Sequence, residues 1–201
     1  MPTEASPTML RFLAGLVLGV LLVPLLVLAW FYHGQVPVAV SDPPLPLERQ
    51  ITHTALDARI KKEAPQMAPI QPNEQTYIDG ARIYKDNCAF CHGLHGQPSI
   101  AGPNMFPDAP PLWEPHQTGN VVGVSDDPAG ETYWKVANGI RLTGMPSYRT
   151  RLTDTQIWQV SILLSHANQP LPPAALQILR FQSGMAAPST AAPNADSGSK
   201  D

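Results

Sequence analysis

The only two cysteines of the 201-residue chain lie three positions apart, and a histidine follows the second one directly. Together they form the pentapeptide Cys88-Ala89-Phe90-Cys91-His92. The C-x-x-C-H spacing is that of covalent haem attachment, in which each thiol adds across one vinyl group and the next imidazole reaches the iron. The motif therefore predicts one haem c, held through Cys88 and Cys91, with His92 as the proximal ligand.

Three other interpretations of this cysteine pair are weaker. A structural zinc site needs four ligands, and without a second cysteine pair it would have to recruit His95 and His116 at unusual spacing. A thioredoxin-like dithiol lies within a βαβ pattern, whereas no strand-like runs flank this motif. A plain disulfide leaves the position of His92 unexplained. Haem attachment is the favoured hypothesis.

The composition indicates one ordinary domain with extended appendages. Of 201 residues, 43% are hydrophobic, 14% are charged and 23 are proline, and the prolines concentrate in joining segments and around the cysteine motif. The formal net charge is only -3, and no basic stripe is present. Nucleic acid is therefore not an indicated partner.

Residues 73–180 are predicted to form an all-α domain, because they carry helix capping signals and no alternating strand pattern. Thr153 and Gln156 form a capping-box pattern at the start of the last helix. Three helices are expected, from Asn73 as N-cap to Cys88, from Asp127-Pro128 to Gly139, and from Thr153 to about Asn168.

A helix ending in C-x-x-C-H, a Gly-Met-Pro segment 53 residues after His92, and an aromatic C-terminal helix resemble a class I c-type cytochrome over residues 74–170. The resemblance is to the membrane-anchored monohaem cytochromes of bacteria, and it implies the class I cytochrome c fold for the domain. In that family the first and last helices cross tightly. The resemblance places Gly80 and Tyr84 at this crossing, with Trp158 opposite.

The segment NGIRLTGMPSY, residues 138–148, resembles the one that supplies the family's distal methionine. Met145 is therefore the implied sixth ligand of the iron. The flanking Gly144 and Pro146 stiffen the loop, so that packing aims the flexible side chain. The competitors for that position are Met105, His95, His116 and His166. His95 lies only three residues beyond His92 and cannot cross the haem plane, and His166 is expected at the surface, so His116 and Met105 stay open.

Other contacts of the haem are also implied by the resemblance. Gly102-Pro103 resembles a family segment whose proline carbonyl accepts a hydrogen bond from the proximal imidazole, although here Asn-Met follows instead of the usual x-Leu. Pro103 is the expected acceptor, and the segment Pro110-Pro111-Leu112 is the alternative. Candidates for the walls of the site or for contacts with the haem propionates are Trp113, Arg141, Trp134 and Tyr148.

The N-terminal region contains a candidate membrane anchor. From Phe12 to Tyr32 no residue is charged, and 21 residues of helix measure about 31 Å, close to the hydrocarbon thickness of a bilayer. A cleaved signal peptide is the alternative, with a small residue at Ala29 for the cleavage site. The apolar run exceeds the usual signal core of about 7–15 residues, so an uncleaved anchor is favoured. Residues 1–11 are then cytoplasmic.

Two further segments are predicted to lie outside the packed domain. Residues 33–72 are rich in proline and are expected to form an extended linker in the periplasm, with at most one short helix at about 54–64. The alternative is that this segment lies against another subunit. Residues 181–201 consist largely of Ala, Pro, Ser, Gly and Asp and are expected to be disordered.

The combined hypothesis is a one-electron carrier, because His92 and Met145 would fill both axial positions of the iron. Bacterial cytochromes of this class receive haem outside the inner membrane, so a single-pass membrane protein with a periplasmic haem domain is expected. Its partners would be redox proteins of a respiratory chain. Two alternatives stay open: the cytochrome subunit of a dehydrogenase or terminal oxidase complex, and a haem sensor or peroxidase with an open distal site.

Overall fold

A computed structural model describes residues 7–34, 36–116 and 119–180. Within these residues the structure is helical and has no strand, only isolated β-bridges. The all-α prediction is confirmed. The α-helices are α1 (Pro7–Tyr32), α2 (Glu48–Glu63), α3 (Glu74–Asn87), α4 (Ala89–His92), α5 (Ala129–Asn138), α6 (Asp154–Ser165) and α7 (Pro173–Leu179), and a 3₁₀ turn spans Gly102–Asn104.

The chain divides into two compact units near residue 52. The first unit contains α1, a helix of 26 residues with Pro24 inside it and no buried residue. By length and composition this helix suits a membrane span, and a signal sequence near the N-terminus has the same properties.

Helix α2 is the main difference from the predicted linker. It has 16 residues, where at most a short helix was expected. The side chain of Ile60 is only 3% exposed. After the helix ends, Ala68 and Ile70 pack against the hydrophobic core. Residues 60–72 are therefore held on the second unit rather than extended, because Ala68 and Ile70 find partners in its core.

The three helices predicted for the second unit are present, and α3 and α6 have the expected N-caps, whereas α5 starts after Pro128 without a side-chain cap because Asp127 pairs with Lys135. The side-chain carbonyl oxygen of Asn73 accepts a hydrogen bond from the Thr76 N–H at 2.9 Å. The capping box of α6 is formed: the Gln156 N–H donates to Thr153 Oγ1, and the Thr153 N–H donates to Gln156 Oε1. Gly139 ends α5 with a φ of +68°, a conformation that glycine adopts without strain.

Helices α3 and α6 cross in the centre of the core, where Gly80 permits a close approach. A Cβ atom at this position would lie 2.5 Å from the Gln159 carbonyl oxygen and 3.1 Å from Leu163 Cβ. The predicted tight crossing at Gly80 is thus present. Trp158, however, stacks on Tyr133 of α5 with a centroid distance of 4.3 Å.

Helix α7 was not predicted. Pro172 and Pro173 stand at its start, a position where the missing N–H of proline costs nothing. Its Ala175 and Leu179 side chains are fully buried, and the helix packs against α3. The tail at 181–201, for which disorder was expected, lies outside the described residues.

Candidate haem-binding site

The cysteine motif lies at the junction of two helices. Cys88 ends α3, and Cys91 and His92 lie on the single turn of α4. The N–H groups of Cys91 and His92 both donate to the Cys88 carbonyl, at 3.1 and 2.9 Å. Residues three and four apart in a helical turn share one face. The two thiols and the imidazole are therefore presented on the same side of the chain.

The imidazole of His92 is oriented by a backbone carbonyl. Its Nδ1 lies 2.8 Å from the Pro110 oxygen, and because a carbonyl only accepts, Nδ1 carries the proton. The Nε2 atom is then the free ligand position. The preference for Pro103 was wrong: Pro103 is exposed in the 3₁₀ turn, and the acceptor is the alternative, Pro110.

The protonation state of His92 suits metal binding, and that of Cys88 does not suit dithiol redox chemistry. Burial lowers the pKa of His92, against a smaller opposing effect of its hydrogen bond, which favours the neutral imidazole that ligates metals. Burial raises the pKa of the Cys88 thiol to about 12, with a further contribution from Cys91. Catalytic dithiols need a lowered thiol pKa, so the thioredoxin-like alternative has no support here.

Aromatic side chains support the motif from the core side. The Tyr84 hydroxyl donates to the Gly93 carbonyl at 2.7 Å, directly after the motif. Trp113 packs edge-on against Tyr84 with a centroid distance of 5.5 Å. The buried Trp113 Nε1 makes no hydrogen bond of good geometry within the described residues. A buried N–H without a partner is costly, and a haem propionate is a suitable acceptor for it.

The loop that carries Met145 is held by its own hydrogen bonds. The Ile140 N–H donates to the Met145 carbonyl at 3.2 Å. The Thr143 hydroxyl donates to the Ile140 carbonyl at 2.7 Å and accepts from the Met145 N–H at 3.1 Å. The Met145 side chain is half-buried and packs against the core. The loop is therefore a defined structure that can aim a thioether.

Tyr148 joins this loop to the cysteine motif. Its hydroxyl donates to the Asn87 carbonyl at 2.7 Å, and Asn87 directly precedes Cys88. The pKa of Tyr148 is raised, first by burial and then by the nearby thiols of Cys88 and Cys91. The structure thus brings the Met145 loop next to the two cysteines, as a haem site shared between them requires. The sequence predicted Tyr148 as a wall of the site or a propionate contact, and the structure instead shows its hydroxyl bonded to the backbone before the cysteine motif.

The loop of residues 99–112 completes the site region. Ser99 Oγ donates to the Phe90 carbonyl at 2.7 Å and accepts from two N–H groups of the loop, a role that the sequence analysis missed. Gly102 lies against the Cys91 carbonyl, so that a Cβ atom would approach it to 2.5 Å. The methyl group of Met105 occupies the space where a Cβ of Gly144 would stand.

The remaining candidates have other surroundings. Arg141 is exposed. Trp134 donates its indole N–H to Glu63 at 3.1 Å. His166 Nδ1 lies 2.9 Å from the Ile162 carbonyl. Within the described part of the chain, no three His, Cys, Asp or Glu side chains form a group that would hold a metal ion, which leaves the zinc hypothesis without its ligands.

The fold and the site are those of a c-type cytochrome domain: two thiols and a neutral imidazole lie on one face, and the Met145 loop lies beside them. Residues 75–162 match the family model described as cytochrome c oxidase, cbb3-type, subunit III. The match spans less than half of the chain, and it identifies a monohaem c-type cytochrome domain that binds haem c covalently. No curated protein and no solved structure matches the chain.

Proposed function

We propose that this electron-transfer cytochrome is a membrane-tethered, periplasmic one-electron carrier of a respiratory chain, with His92 and Met145 as the axial ligands. When bound, haem c supplies a one-electron Fe(III)/Fe(II) couple. The observation that carries the proposal is the Tyr148 hydrogen bond to Asn87 at 2.7 Å, because it holds the methionine loop beside the cysteine motif.

Each residue of the site has a distinct task in this proposal. Cys88 and Cys91 hold the cofactor covalently, and the carbonyl of Pro110 keeps His92 neutral and oriented. The internal hydrogen bonds of the 140–145 turn keep the Met145 thioether in place. His92 and Met145 would together hold the iron of haem c, which would leave no open position for a substrate. A rigid ligand set also limits the rearrangement that accompanies each change of charge.

The ligand assignment is tested by the weak red absorption band that methionine gives to ferric haem. Met145→Ala should abolish this band while the haem stays covalently attached. Met67→Ala is the matched control, because Met67 is 85% exposed and should leave the band unchanged. Persistence of the band in Met145→Ala contradicts the assignment. Binding of carbon monoxide by the reduced wild-type protein at neutral pH would instead favour a sensor or peroxidase with an open distal site.

The membrane tether is a separate part of the proposal and rests on α1, whose 26 residues contain no buried side chain. Its length exceeds that of a signal core, which favours an uncleaved anchor over a signal peptide. We expect the mature protein to retain the helix and to stay in the membrane fraction until detergent is added. A mature chain that starts after Ala29, measured by intact mass, would contradict the anchor.

A second candidate function is supported by the family match, whose description names a subunit of an oxidase. In this version the domain passes electrons within a complex and never acts as a free carrier. Purification in mild detergent separates the two versions. A stoichiometric catalytic subunit that stays bound through two columns supports the complex, whereas a lone redox-active cytochrome supports the free carrier.

A further inference from the structure

Residues 60–72, here called the strap, precede the first helix of the predicted haem domain and are part of the same compact unit. The strap is anchored along its length. Ile60 is buried, and Ala68 and Ile70 pack against the core. Near its end, the Gln71 carbonyl accepts a hydrogen bond from the Thr76 hydroxyl of α3 at 3.0 Å. The strap therefore holds a defined position against the helices of the unit.

The strap contacts one face of α5. The Trp134 indole N–H donates to Glu63 Oε2 at 3.1 Å. One turn earlier, Gly130 lies so close to the Pro65 carbonyl that a Cβ atom would stand 1.8 Å from its oxygen. Gly130 and Trp134 are four residues apart and so share a face of the helix. Because the contact at Gly130 is backbone against backbone, neither side can yield by a rotamer change.

The other end of α5 is hydrogen-bonded to the Met145 loop. The Val136 carbonyl accepts from the Tyr148 N–H at 3.0 Å. The Ala137 carbonyl accepts from the Ser147 hydroxyl at 2.6 Å. Helix α5 has only ten residues, so a tilt at its first turn displaces the carbonyls of its last turn. The strap and the loop are thus linked through one short helix.

We propose that Glu63 and Pro65 are positioning residues for Met145: by fixing α5, the strap keeps the Met145 loop closed over the sixth coordination position of the iron. This inference rests on the proposed ligation of the iron by Met145. The strap lies outside residues 75–162, which match the family model, so this role belongs to the chain's own additional segment.

Imidazole is the probe, because it competes with a methionine for the sixth position of ferric haem and binds more tightly when the loop opens more readily. The full chain with its haem is used, in detergent. Glu63→Ala and Trp134→Phe each remove the hydrogen bond between Trp134 and Glu63. Each variant should raise the apparent imidazole affinity about two- to tenfold. Glu63→Gln keeps an acceptor oxygen and should stay within about twofold of wild type.

Gly130→Ala places a methyl group against the Pro65 carbonyl and should give the largest increase in affinity. If this variant fails to fold, the two hydrogen-bond variants still decide the question. Leu179→Ala is the control for general destabilisation, because Leu179 is fully buried on α7, which packs against α3. It should lower the urea midpoint of unfolding and leave the imidazole affinity in the absence of urea unchanged.

Two results overturn the inference: wild-type imidazole affinity in Glu63→Ala and Trp134→Phe, or an increase in Leu179→Ala as large as theirs. Met145→Ala separates this failure from failure of the ligand assignment. If Met145→Ala keeps the red band, Met145 is not the ligand and the positioning role falls with it. If Met145→Ala loses the band while the strap variants behave as wild type, only the strap inference fails.

Discussion

Tyr148→Phe is the substitution that tests most directly whether the two halves of the site are held together as the structure indicates. It retains the ring and removes only the hydroxyl, which donates to the Asn87 carbonyl at 2.7 Å. Asn87 is the last residue of α3, so its carbonyl is one of those that a helix end leaves without an intrahelical partner. The variant therefore breaks one contact between the methionine loop and the helix that carries Cys88.

The size of the effect follows from the loss of one hydrogen bond at a half-buried position. Such a bond contributes about 0.5–1.5 kcal/mol net, and leaving its acceptor unpaired adds to the loss. We expect the free energy of unfolding to fall by about 1–2 kcal/mol. The red band should weaken at a lower urea concentration than the one at which the helix signal is lost, because the contact that is removed belongs to the loop.

The pH dependence supplies a second signature. Burial is the main reason for the raised pKa of Tyr148, and it remains so once the cysteines have become uncharged thioethers. A tyrosine with a raised pKa in the folded state contributes stability below its unfolded pKa of about 10, and this contribution is lost as the pH rises above that value. The wild-type unfolding free energy should therefore decline above about pH 10 more steeply than that of Tyr148→Phe.

Urea unfolding followed by circular dichroism and by the red band measures both effects. The matched control for stability near neutral pH is Tyr77→Phe, because Tyr77 packs edge-on against His166 and its hydroxyl has no hydrogen bond within the described residues. The control should change the free energy of unfolding by less than about 0.5 kcal/mol. The reasoning is refuted if Tyr148→Phe is as stable as the control, or if the red band and the helix signal disappear together in both variants.

Three further substitutions test the scaffold by urea unfolding. Gly80→Ala should lower the free energy of unfolding by about 1–3 kcal/mol despite the better helix propensity of alanine, because the added methyl group meets the Gln159 carbonyl. A stabilised variant contradicts the tight crossing. Thr153→Ala removes a capping box and should cost about 1 kcal/mol, so an unchanged midpoint contradicts the cap. Tyr84→Phe should destabilise the protein and reduce its alkaline sensitivity, because burial raises the pKa of Tyr84; an unaltered alkaline slope contradicts this.

The predictions that agree with the structure rest on short-range signals. The helix caps at Asn73 and Thr153 involve partners three residues away, so they can be recognised in the sequence itself. The same holds for the haem motif, whose three side chains lie within five consecutive residues. The approach at Gly80 had a different basis, because it was implied by the resemblance to class I cytochromes rather than by a local signal.

The features that the sequence did not reveal depend on contacts between distant residues. Pro103 and the segment Pro110-Pro111-Leu112 were both available to supply the acceptor for His92, and the choice of Pro110 depends on how residues 99–112 fold back against the cysteine motif. Likewise, a proline-rich composition argues against helix and strand but says nothing about docking. Pro65 lacks an N–H for a helix or strand hydrogen bond, but its carbonyl still packs against Gly130.

The strap and α7 show why the packed unit extends beyond the residues that match the family model. The match covers 75–162, whereas α7 begins at Pro173 and the strap ends at Pro72. Helix α7 packs on α3, which delivers Cys88, and the strap packs on α5, which leads into the Met145 loop. Each additional segment therefore supports a helix that carries one side of the haem site. The contribution of the strap should appear as resistance of the methionine loop to opening, whereas that of α7 should appear as stability of the whole unit against urea, in keeping with the Leu179→Ala control.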